Sequence, residues 1–301
     1  MPGPMKLVDD RGRALPIRPA RRIVSLVPSD TYSLVKLGVG DRLVGRTRYC
    51  VAPAPEVESI EVVGGTKDAD VERIIALQPD LVVANQEENA RIDILKLDAA
   101  RIPVLVSFPR TVAAGLAHLA RLGRILGLGA QAEPARSVLA EAYRIYREAE
   151  AALAARTTPP VATFVPIWMD PLMTIHEATF ISDVIRLAGG ANVFADRERR
   201  YPLAADLGTG APLPEERVAG RDVRYPRVTM DEVVARRPEL ILLPDEPHPF
   251  TDADAALFKS LDLPAARKDA VRKCDGKDLM WYGARSVEGL SRLKALVDSA
   301  R

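Results

Sequence analysis

The sequence predicts an α/β protein of two lobes joined by one long helix. Short apolar runs alternate with helical segments, this alternation occurs twice, and a long amphipathic stretch separates the two occurrences. Buried strands of parallel sheets are short continuous apolar runs, and the connecting helices cover both faces of the sheet. We therefore expect two Rossmann-like lobes with parallel sheets, at 22–132 and 158–301, joined by one rigid α-helix over 133–157.

The long helix is predicted over Pro134–Arg156. Pro134 suits a first helical turn, and Pro159 and Pro160 end the helix because proline cannot continue it. At 1.5 Å per residue the helix would be about 35 Å long. A single domain carrying one ordinary long helix is the alternative to a helix between lobes. The apolar face is formed by Val138, Leu139, Ala142, Ile145, Tyr146, Ala149, Ala152 and Leu153, at three- and four-residue spacing.

The first lobe follows a polar tail, residues 1–21, in which a short hairpin is expected. Its strands and helices are bounded by Pro28, Gly38, Pro79 and Gly127, which punctuate the pattern. The predicted strands are Arg22–Val27, Leu43–Gly45, Leu81–Ala84 and Val104–Val106, and the predicted helices are Ser29–Leu37, Val71–Leu77, Glu88–Leu97 and Val112–Leu126.

The second lobe repeats this alternation. Leu203–Asp222 is rich in Gly, Pro and Ala without a period, which predicts an inserted surface loop. The predicted strands are Ala162–Ile167 and Leu240–Leu243, and the predicted helices are Thr179–Leu187, Met230–Arg236, Ala253–Leu261 and Val287–Val297.

One segment occurs in both lobes. Glu72–Val83 and Asp231–Leu242 each contain an acid that opens a short helix, a proline that ends it and an acid-leucine pair that enters a strand. This repeat favours two similar lobes over one domain.

Composition excludes several classes of protein. The formal net charge is +1, from 42 basic and 41 acidic residues, so neither nucleic acid nor an anionic membrane surface is expected as partner. No apolar run approaches the ~20 residues that span a bilayer. Residues 1–22 contain no apolar core of a secretory signal. Cys50 and Cys274 fall in different predicted lobes, and no disulfide is expected.

Candidate binding residues come from the loops after the strands, because ligands of parallel α/β sheets bind at the carboxyl ends of the strands. Aromatic, basic and carboxylate side chains in these loops suit a large planar or macrocyclic ligand. Structural roles for the tryptophans and burial of Cys50 are the alternatives. The candidates are Arg48, Tyr49, Cys50, Lys67, Glu87, Arg110, Trp168, Asp170, Glu246, Trp281, Tyr282 and Arg285.

Motifs for metal binding and catalysis are weak. His118 lies in a mostly apolar helix and is predicted to be structural or exposed. His176 and His248 have Glu177 and Glu246 nearby, but no HExxH, Cys-x-x-Cys or G-x-S-x-G motif is present. We expect a binding protein rather than an enzyme, with no required cofactor.

The chain resembles the class III substrate-binding proteins of ABC transporters, which bind vitamin B12, siderophores or haem. Within that class it is most similar to the B12-binding-protein-like branch, the helical backbone metal receptors. The resemblance covers about residues 22–300. It rests on Arg22–Ser29, Val44–Cys50, Gly64–Lys67, Asp70–Ile74, Asn85–Asn89, Phe108–Val112, Leu243–Pro247 and Asp278–Gly283.

The resemblance implies a cobalamin-like corrinoid or related metal chelate as ligand, a monomer, and an ABC permease as partner. Glu72 and Asp231 occupy the positions of the surface acids that dock on the permease. We expect four aromatic residues to stack on the macrocycle, the basic residues to meet its polar groups, and Asp170 and Glu246 to accept hydrogen bonds. Cys50 or His248 would approach the metal. The stacking residues are Tyr49, Trp168, Trp281 and Tyr282.

The resemblance implies a location in the periplasm or at the cell surface, whereas the missing secretory signal implies the cytoplasm if Met1 is the native start. A cytoplasmic sensor or carrier of a metal chelate on the same fold is therefore the first alternative. A metal-dependent enzyme using His176 and His248 is the second.

Overall fold

Two separate parallel sheets of four strands organise the chain. The computed structural model describes residues 6–301, which divide into two units. Unit 1 contains the described residues up to Tyr146 together with Trp281–Arg285, and unit 2 contains Arg147–Met280 and Ser286–Arg301. The predicted α/β class with two lobes and parallel sheets is confirmed. The sequence does not predict the membership of Trp281–Arg285 in unit 1.

Unit 1 contains a sheet with the strand order β4-β3-β5-β6 and a separate hairpin of β1 and β2. The strands are β1 (Lys6–Val8), β2 (Ala14–Pro16), β3 (Ile23–Ser25), β4 (Leu43–Arg46), β5 (Leu81–Asn85) and β6 (Val104–Ser107). The helices are α1 (Pro28–Lys36), α2 (Val71–Ala76), α3 (Arg91–Ala99) and α4 (Val112–Ile125), with a 3₁₀ turn at Gly40–Arg42.

The ends of the unit 1 helices follow from local chemistry. Pro28 occupies the first turn of α1. Asp70 caps α2 by accepting a hydrogen bond from the Arg73 N–H at 3.0 Å, and Thr111 caps α4 in the same way. β3, β5 and β6 are buried along their whole length, because both faces of the sheet are covered. Their core contains Val24, Leu26, Val63, Ile74, Val82, Ala84, Ile94, Leu97, Val104 and Val106.

The predicted tail over 1–21 falls partly outside the described residues, which begin at position 6. Within the described part, the expected hairpin is present as the antiparallel pair β1 and β2, with Leu7 opposite Leu15. Both leucines are buried, so this segment packs as part of the unit.

The long helix is α5 (Ala135–Ala154), about two residues shorter at its C-terminal end than predicted. The division between the units falls within it, after Tyr146. Its 20 residues give a length of about 30 Å. The predicted apolar face is buried or half-buried except at Ala152, which is exposed.

Unit 2 contains a sheet with the order β10-β7-β11-β12 and a two-stranded ribbon, β8 with β9. The strands are β7 (Val161–Phe164), β8 (Trp168–Met169), β9 (Leu172–Met173), β10 (Gly190–Asn192), β11 (Leu240–Pro244) and β12 (Val271–Cys274). The helices are α6 (Phe180–Ala188), α7 (Leu203–Asp206), α8 (Glu215–Val218), α9 (Met230–Arg236), α10 (Asp252–Lys259), α11 (Pro264–Arg267), α12 (Gly276–Met280) and α13 (Ala284–Asp298).

The segment predicted as a surface loop, Leu203–Asp222, contains the short helices α7 and α8. It is also anchored internally, because Asp206 is buried and accepts hydrogen bonds from Arg197 and from the backbone N–H groups of Arg200 and Arg227. The sequence did not predict these two short helices, and the insertion of the segment as a surface loop stays a prediction. A buried carboxylate with several donors holds the segment in place.

The internal repeat is visible in the backbone. Gln78 and Arg237, the residues before the two repeated prolines, both have φ 49°. These left-handed residues end α2 and α9, after which β5 and β11 begin. Each of these strands is third in the order of its own sheet. The repeat therefore corresponds to the same helix–turn–strand unit in both sheets.

Candidate functional site

The carboxyl ends of β3, β4, β5 and β6 form one edge of the unit 1 sheet, since the strands are parallel. We call the loop residues at this edge, Arg48, Tyr49, Lys67, Glu87 and Arg110, the rim of unit 1; all are exposed except Glu87, which is half-buried. The Tyr49 ring is 52% exposed. The Arg48 guanidinium lies 5.2 Å from this ring and pairs with Asp68 at 2.6 Å. This edge thus combines an open aromatic face with cations.

Two further rim contacts fix loops from different strands. The Lys67 ammonium donates a hydrogen bond to the Glu87 carbonyl, which joins the loop before α2 to the loop after β5. The Arg110 guanidinium lies 5.7 Å from the ring of Phe108. Lys67 and Arg110 therefore present charge at this edge, and their contact with polar groups of a ligand stays a prediction.

Cys50 lies beneath the rim of unit 1 and is completely buried. Its Sγ is 3.1 Å from Thr47 Oγ1. Burial raises the pKa of the Cys50 thiol to about 11, so the thiol is protonated at neutral pH. Metal ligation requires an accessible thiolate. The burial of Cys50 therefore disfavours its predicted approach to a metal.

The segment Trp281–Arg285 is inserted into unit 1. The Trp281 ring is 5% exposed and meets Tyr32 edge-on, with 6.2 Å between ring centroids. Gly283 has φ 81°, and a Cβ atom there would lie 2.6 Å from Ser33 Oγ. This position therefore requires glycine for conformation and for space. The roles of Trp281 and Arg285 in binding ligand stay predictions.

Tyr282 is buried in a polar network at the ends of β5 and β6. Its hydroxyl donates to Asp30 Oδ2 at 3.1 Å, lies 2.9 Å from Ser107 Oγ and accepts from Asn85 Nδ2 at 3.3 Å. Burial, followed by the negative charge of Asp30, raises the pKa of Tyr282 well above its usual value. The hydroxyl is therefore neutral and serves as an internal hydrogen-bonding group. Stacking of Tyr282 on a macrocycle stays a prediction.

His118 extends this network on the other side of Asp30. Its Nε2 lies 2.8 Å from Asp30 Oδ1, and Arg121 Nη2 lies 2.9 Å from its Nδ1. Because arginine can only donate, Nδ1 is the acceptor, and the imidazole is neutral with its proton on Nε2. Arg121 in turn forms a two-bond ion pair with Asp10, at 2.6 and 2.8 Å. Of the predicted alternatives for His118, the structure shows the structural one, with 2% exposure.

Asp10 lies at the end of this chain of bonds. Partial burial acts to raise its pKa, but hydrogen bonds from Arg121 and from the Phe108 N–H outweigh this effect, and its pKa is lowered. The network of Asp10, Arg121, His118, Asp30 and Tyr282 thus ties the N-terminal hairpin, α1, α4 and the returning segment into one unit. Sequence reasoning missed it because its members are far apart in the chain.

The rim of unit 2 follows β7 and β11 and contains Trp168, Asp170, Glu246, His248 and Phe250. Trp168 is 43% exposed, and its ring centroid lies 5.4 Å from that of His248. His248 meets Phe250 edge-on at 4.7 Å. The Trp168 indole N–H donates to the Asp170 carbonyl at 3.0 Å, which fixes the indole. The structure therefore brings four of these residues together, with an exposed tryptophan beside a half-buried imidazole and a buried phenylalanine ring.

Glu246 lies nearby in sequence and is half-buried, with Oε2 3.9 Å from the Lys277 ammonium. Asp170 is exposed, and its backbone carbonyl accepts the hydrogen bond from the Trp168 indole. Their acceptance of ligand hydrogen bonds stays a prediction. Phe250 was absent from the predicted set, and its only sequence signal is its position in the loop after β11.

Across residues 6–301, no group of three His, Cys, Asp or Glu side chains is placed to hold a metal ion. None of the helices in that range has the length and apolar character needed to cross a membrane. The two acids expected to dock on a permease, Glu72 and Asp231, are exposed in the first turns of α2 and α9. The repeated helix–turn–strand unit therefore presents one acid in each unit at the same local position.

Two α/β units with aromatic and charged residues at their strand ends define a binding protein of the two-lobed α/β class. Residues 23–242 match the model of the family described as periplasmic binding protein, and the chain belongs to that family. A vitamin B12-binding protein of Yersinia pestis (strain Pestoides F) is 29% identical over 231 residues, which cover 76% of this chain and 71% of the relative.

Solved structures agree on the fold. The periplasmic vitamin B12 binding protein BtuF of Vibrio cholerae has a TM-score of 0.72 at 22% identity, covering 94% of this chain and 98% of its own. The periplasmic heme-binding protein RhuT from Roseiflexus sp. RS-1 has a TM-score of 0.71 at 21% identity, covering 94% and 100%. The family and these relatives are named as binding proteins rather than as enzymes.

Proposed function

We propose that the chain is the substrate-binding component of an ABC importer and that it holds a corrinoid or related metal chelate. The observation that carries this proposal is the rim of unit 2, where an exposed tryptophan, an imidazole and a phenylalanine lie side by side at the strand ends. Membership of the periplasmic binding protein family and similarity to vitamin B12-binding proteins support it.

The exposed rings suit a flat ligand. Trp168 and Tyr49 each keep about half of their surface open, which is costly unless a partner covers it. Stacking on an aromatic face is worth about 0.5–1.5 kcal/mol beyond the area buried. A large conjugated macrocycle would use either face better than a small polar solute would.

His248 supports a ligand that contains a metal. Among the residues that the structure describes, neither ring nitrogen of His248 has a hydrogen-bond partner. A neutral imidazole with a free nitrogen is a common ligand for iron and cobalt. We infer that His248 approaches the metal of the chelate, whereas the buried Cys50 thiol does not.

The importer role rests on the family and on the paired acids. Glu72 and Asp231 would meet cationic side chains of a permease, where exposed ion pairs contribute about 0–1 kcal/mol each and set docking orientation. A periplasmic location follows from this role. Reversing both charges would leave ligand affinity unchanged and abolish stimulation of the permease's ATPase activity. Unchanged stimulation would contradict the docking assignment.

The ligand is tested by titrating purified protein with cyanocobalamin, cobinamide, haem and a ferric siderophore. The chain contains two tryptophans, so a Trp281→Phe background leaves Trp168 as the fluorescent reporter. In this background we expect saturable quenching by a chelate. Trp168→Ala, whose binding is followed by calorimetry because it lacks this reporter, should bind about tenfold more weakly from the loss of one stacked ring. Tyr143→Ala, which removes an exposed ring from α5, is the matched control.

His248→Ala provides the second readout. If His248 ligates the metal, the visible absorption of the bound haem or corrinoid shifts in this variant. If haem or a siderophore binds and neither corrinoid does, the proposed ligand is that chelate instead of a corrinoid. Binding of none of the four would contradict the receptor proposal and favour the cytoplasmic or enzymatic alternatives.

A further inference from the structure

The two-stranded β8–β9 ribbon carries the Trp168 side chain in unit 2, and an isolated bridge joins this ribbon to Arg227. Trp168 pairs with Met173 in the antiparallel β8–β9 ribbon, and Met173 pairs on its other side with Arg227. Residues directly opposite on neighbouring strands carry their side chains on the same face. Trp168, Met173 and Arg227 therefore share one face, and two strand spacings place Arg227 about 10 Å from Trp168.

The burial pattern confirms this assignment of faces. The neighbouring residues Leu172 and Val228 are linked by a backbone hydrogen bond of 2.9 Å, and both are buried. Trp168, Met173 and Arg227 are exposed or half-buried. The ribbon thus packs one face on the core of unit 2 and presents the Trp168 face outward.

Arg227 belongs to a cluster of arginines around Tyr201. The guanidinium groups of Arg199 and Arg221 lie 4.4 and 5.0 Å from the centre of the Tyr201 ring. The Asp206 carboxylate accepts the backbone N–H groups of Arg200 and Arg227, at 2.9 and 2.8 Å, and so holds the two backbone segments together. We call Arg199, Arg221 and Arg227 the arginine cluster.

The arginine cluster has an excess of positive charge. Within residues 6–301, no carboxylate lies within ion-pair distance of Arg199, Arg221 or Arg227. Of the nearby acids, Asp206 pairs with Arg197 and Asp222 pairs with Arg224. The pKa of Arg227 is lowered, first by burial and then by the charge of Arg199.

Arg227 also has an unsatisfied donor. Its Nε is buried without a hydrogen-bond partner, while its Nη1 donates to the Tyr225 carbonyl at 3.2 Å. A buried donor without a partner is rare and costs free energy, and an anion is the partner that a guanidinium prefers. Carboxylate and phosphate oxygens match this geometry.

We propose that the arginine cluster is an oxyanion site, which takes a carboxylate or phosphate group carried at the edge of the chelate. This identification of the ligand class rests on the proposed function, because it uses Trp168 as the stacking residue. The position of Arg227 on the same face as Trp168 then selects a macrocycle that carries an anionic group at its edge.

The first experiment asks whether the oxyanion site exists. No chelate is needed for this experiment. Inorganic phosphate is titrated into the full chain at constant ionic strength, against chloride, and the melting temperature is measured. We expect saturable stabilisation of the wild type. It should weaken about tenfold in Arg227→Met and in Arg199→Met, since each loses a charge-assisted hydrogen-bond donor.

The control is Arg267→Met, which removes the same charge from an exposed ion pair with Asp262 in unit 2. It should retain the wild-type response. Two cluster variants are used because Arg227 is half-buried and its replacement could disturb folding. An equal response in all proteins, or none in the wild type, would overturn the site.

The second experiment identifies the source of the oxyanion. Cyanocobalamin carries a phosphodiester that cobinamide lacks, and haem carries propionates that its dimethyl ester masks. Arg227→Met should weaken binding of the anionic member about tenfold and that of its partner less than twofold. Equal weakening of the binding of both members of a pair would overturn the proposal that the chelate carries the oxyanion. The cluster would then be a site for free phosphate. Failure of the wild type to bind cyanocobalamin, cobinamide, haem or a ferric siderophore would contradict the proposed function. The phosphate titration would still show whether the oxyanion site exists.

Discussion

Replacing Tyr282 by Phe tests the hydrogen-bond network that holds the returning segment in unit 1. The change removes one oxygen and keeps the buried ring, so the packing of Tyr282 against His118, at 5.7 Å between centroids, is retained. Among the described residues, the Asp30 carboxylate receives hydrogen bonds from His118 and Tyr282. The variant therefore removes one of two donors from a fully buried carboxylate.

The magnitude follows from these bonds. A hydrogen bond to a charged group contributes about 1.5–3 kcal/mol, and neutral partners left unsatisfied add to the cost. Asn85 and Ser107 each lose a contact with the hydroxyl. We expect the free energy of unfolding of unit 1 to fall by about 2–3 kcal/mol.

Urea denaturation measures this change with a reporter in the correct unit. In a Trp168→Phe background the fluorescence comes from Trp281, which is buried beside Tyr32 in unit 1. Tyr49→Phe is the matched control, because its ring is 52% exposed, and it should change stability by less than about 0.5 kcal/mol. In a cycle with Asp30→Asn, the coupling energy should be about 1 kcal/mol or more. A loss below about 0.5 kcal/mol in Tyr282→Phe, or no coupling, would refute the role assigned to the hydroxyl.

Two further predictions concern titrating groups. Because the folded pKa of Asp10 is lowered, its contribution to stability is present above the unfolded pKa of about 3.9 and is lost as pH falls through the folded value. Asp10→Asn should therefore be less stable than wild type in urea at pH 7, with a difference that shrinks as the pH falls below the unfolded pKa of about 3.9, and a pH-independent difference would contradict this. Cys50, with its pKa at about 11, should react roughly a hundredfold more slowly with a thiol reagent at pH 8 than an exposed cysteine does. Cys50 should therefore become reactive only in denaturant, and its rapid labelling in the folded protein would count against burial.

Local patterns predicted much of the fold. The buried strands β3, β5, β6 and β11 are short apolar runs, and proline or glycine ends most of the helices between them. The polar strand β12 and the three-residue strand β10 were missed, because neither carries a continuous apolar run. Edge strands like these are defined by their pairing with β11 and β7.

The candidate site was predicted less completely than the fold. Position after a strand correctly placed Tyr49, Trp168 and His248 at sheet edges, because chain direction in a parallel sheet decides which loops share an edge. The same rule gave no information on depth. Cys50 lies in such a loop but is buried, and Trp281 and Tyr282, which follow the helix α12 rather than a strand, are buried as well.

The sequence by itself determined the α/β class, the repeated helix–turn–strand unit and the long helix, because these depend on residues within a few turns of one another. Only the tertiary structure decided the network around Asp30, whose partners His118 and Tyr282 are 88 and 252 residues away. It also decided the arginine cluster, which Asp206 assembles from two backbone segments. Hydrogen bonds and charge interactions act through space, so their partners are fixed by folding and leave no periodic mark in the chain.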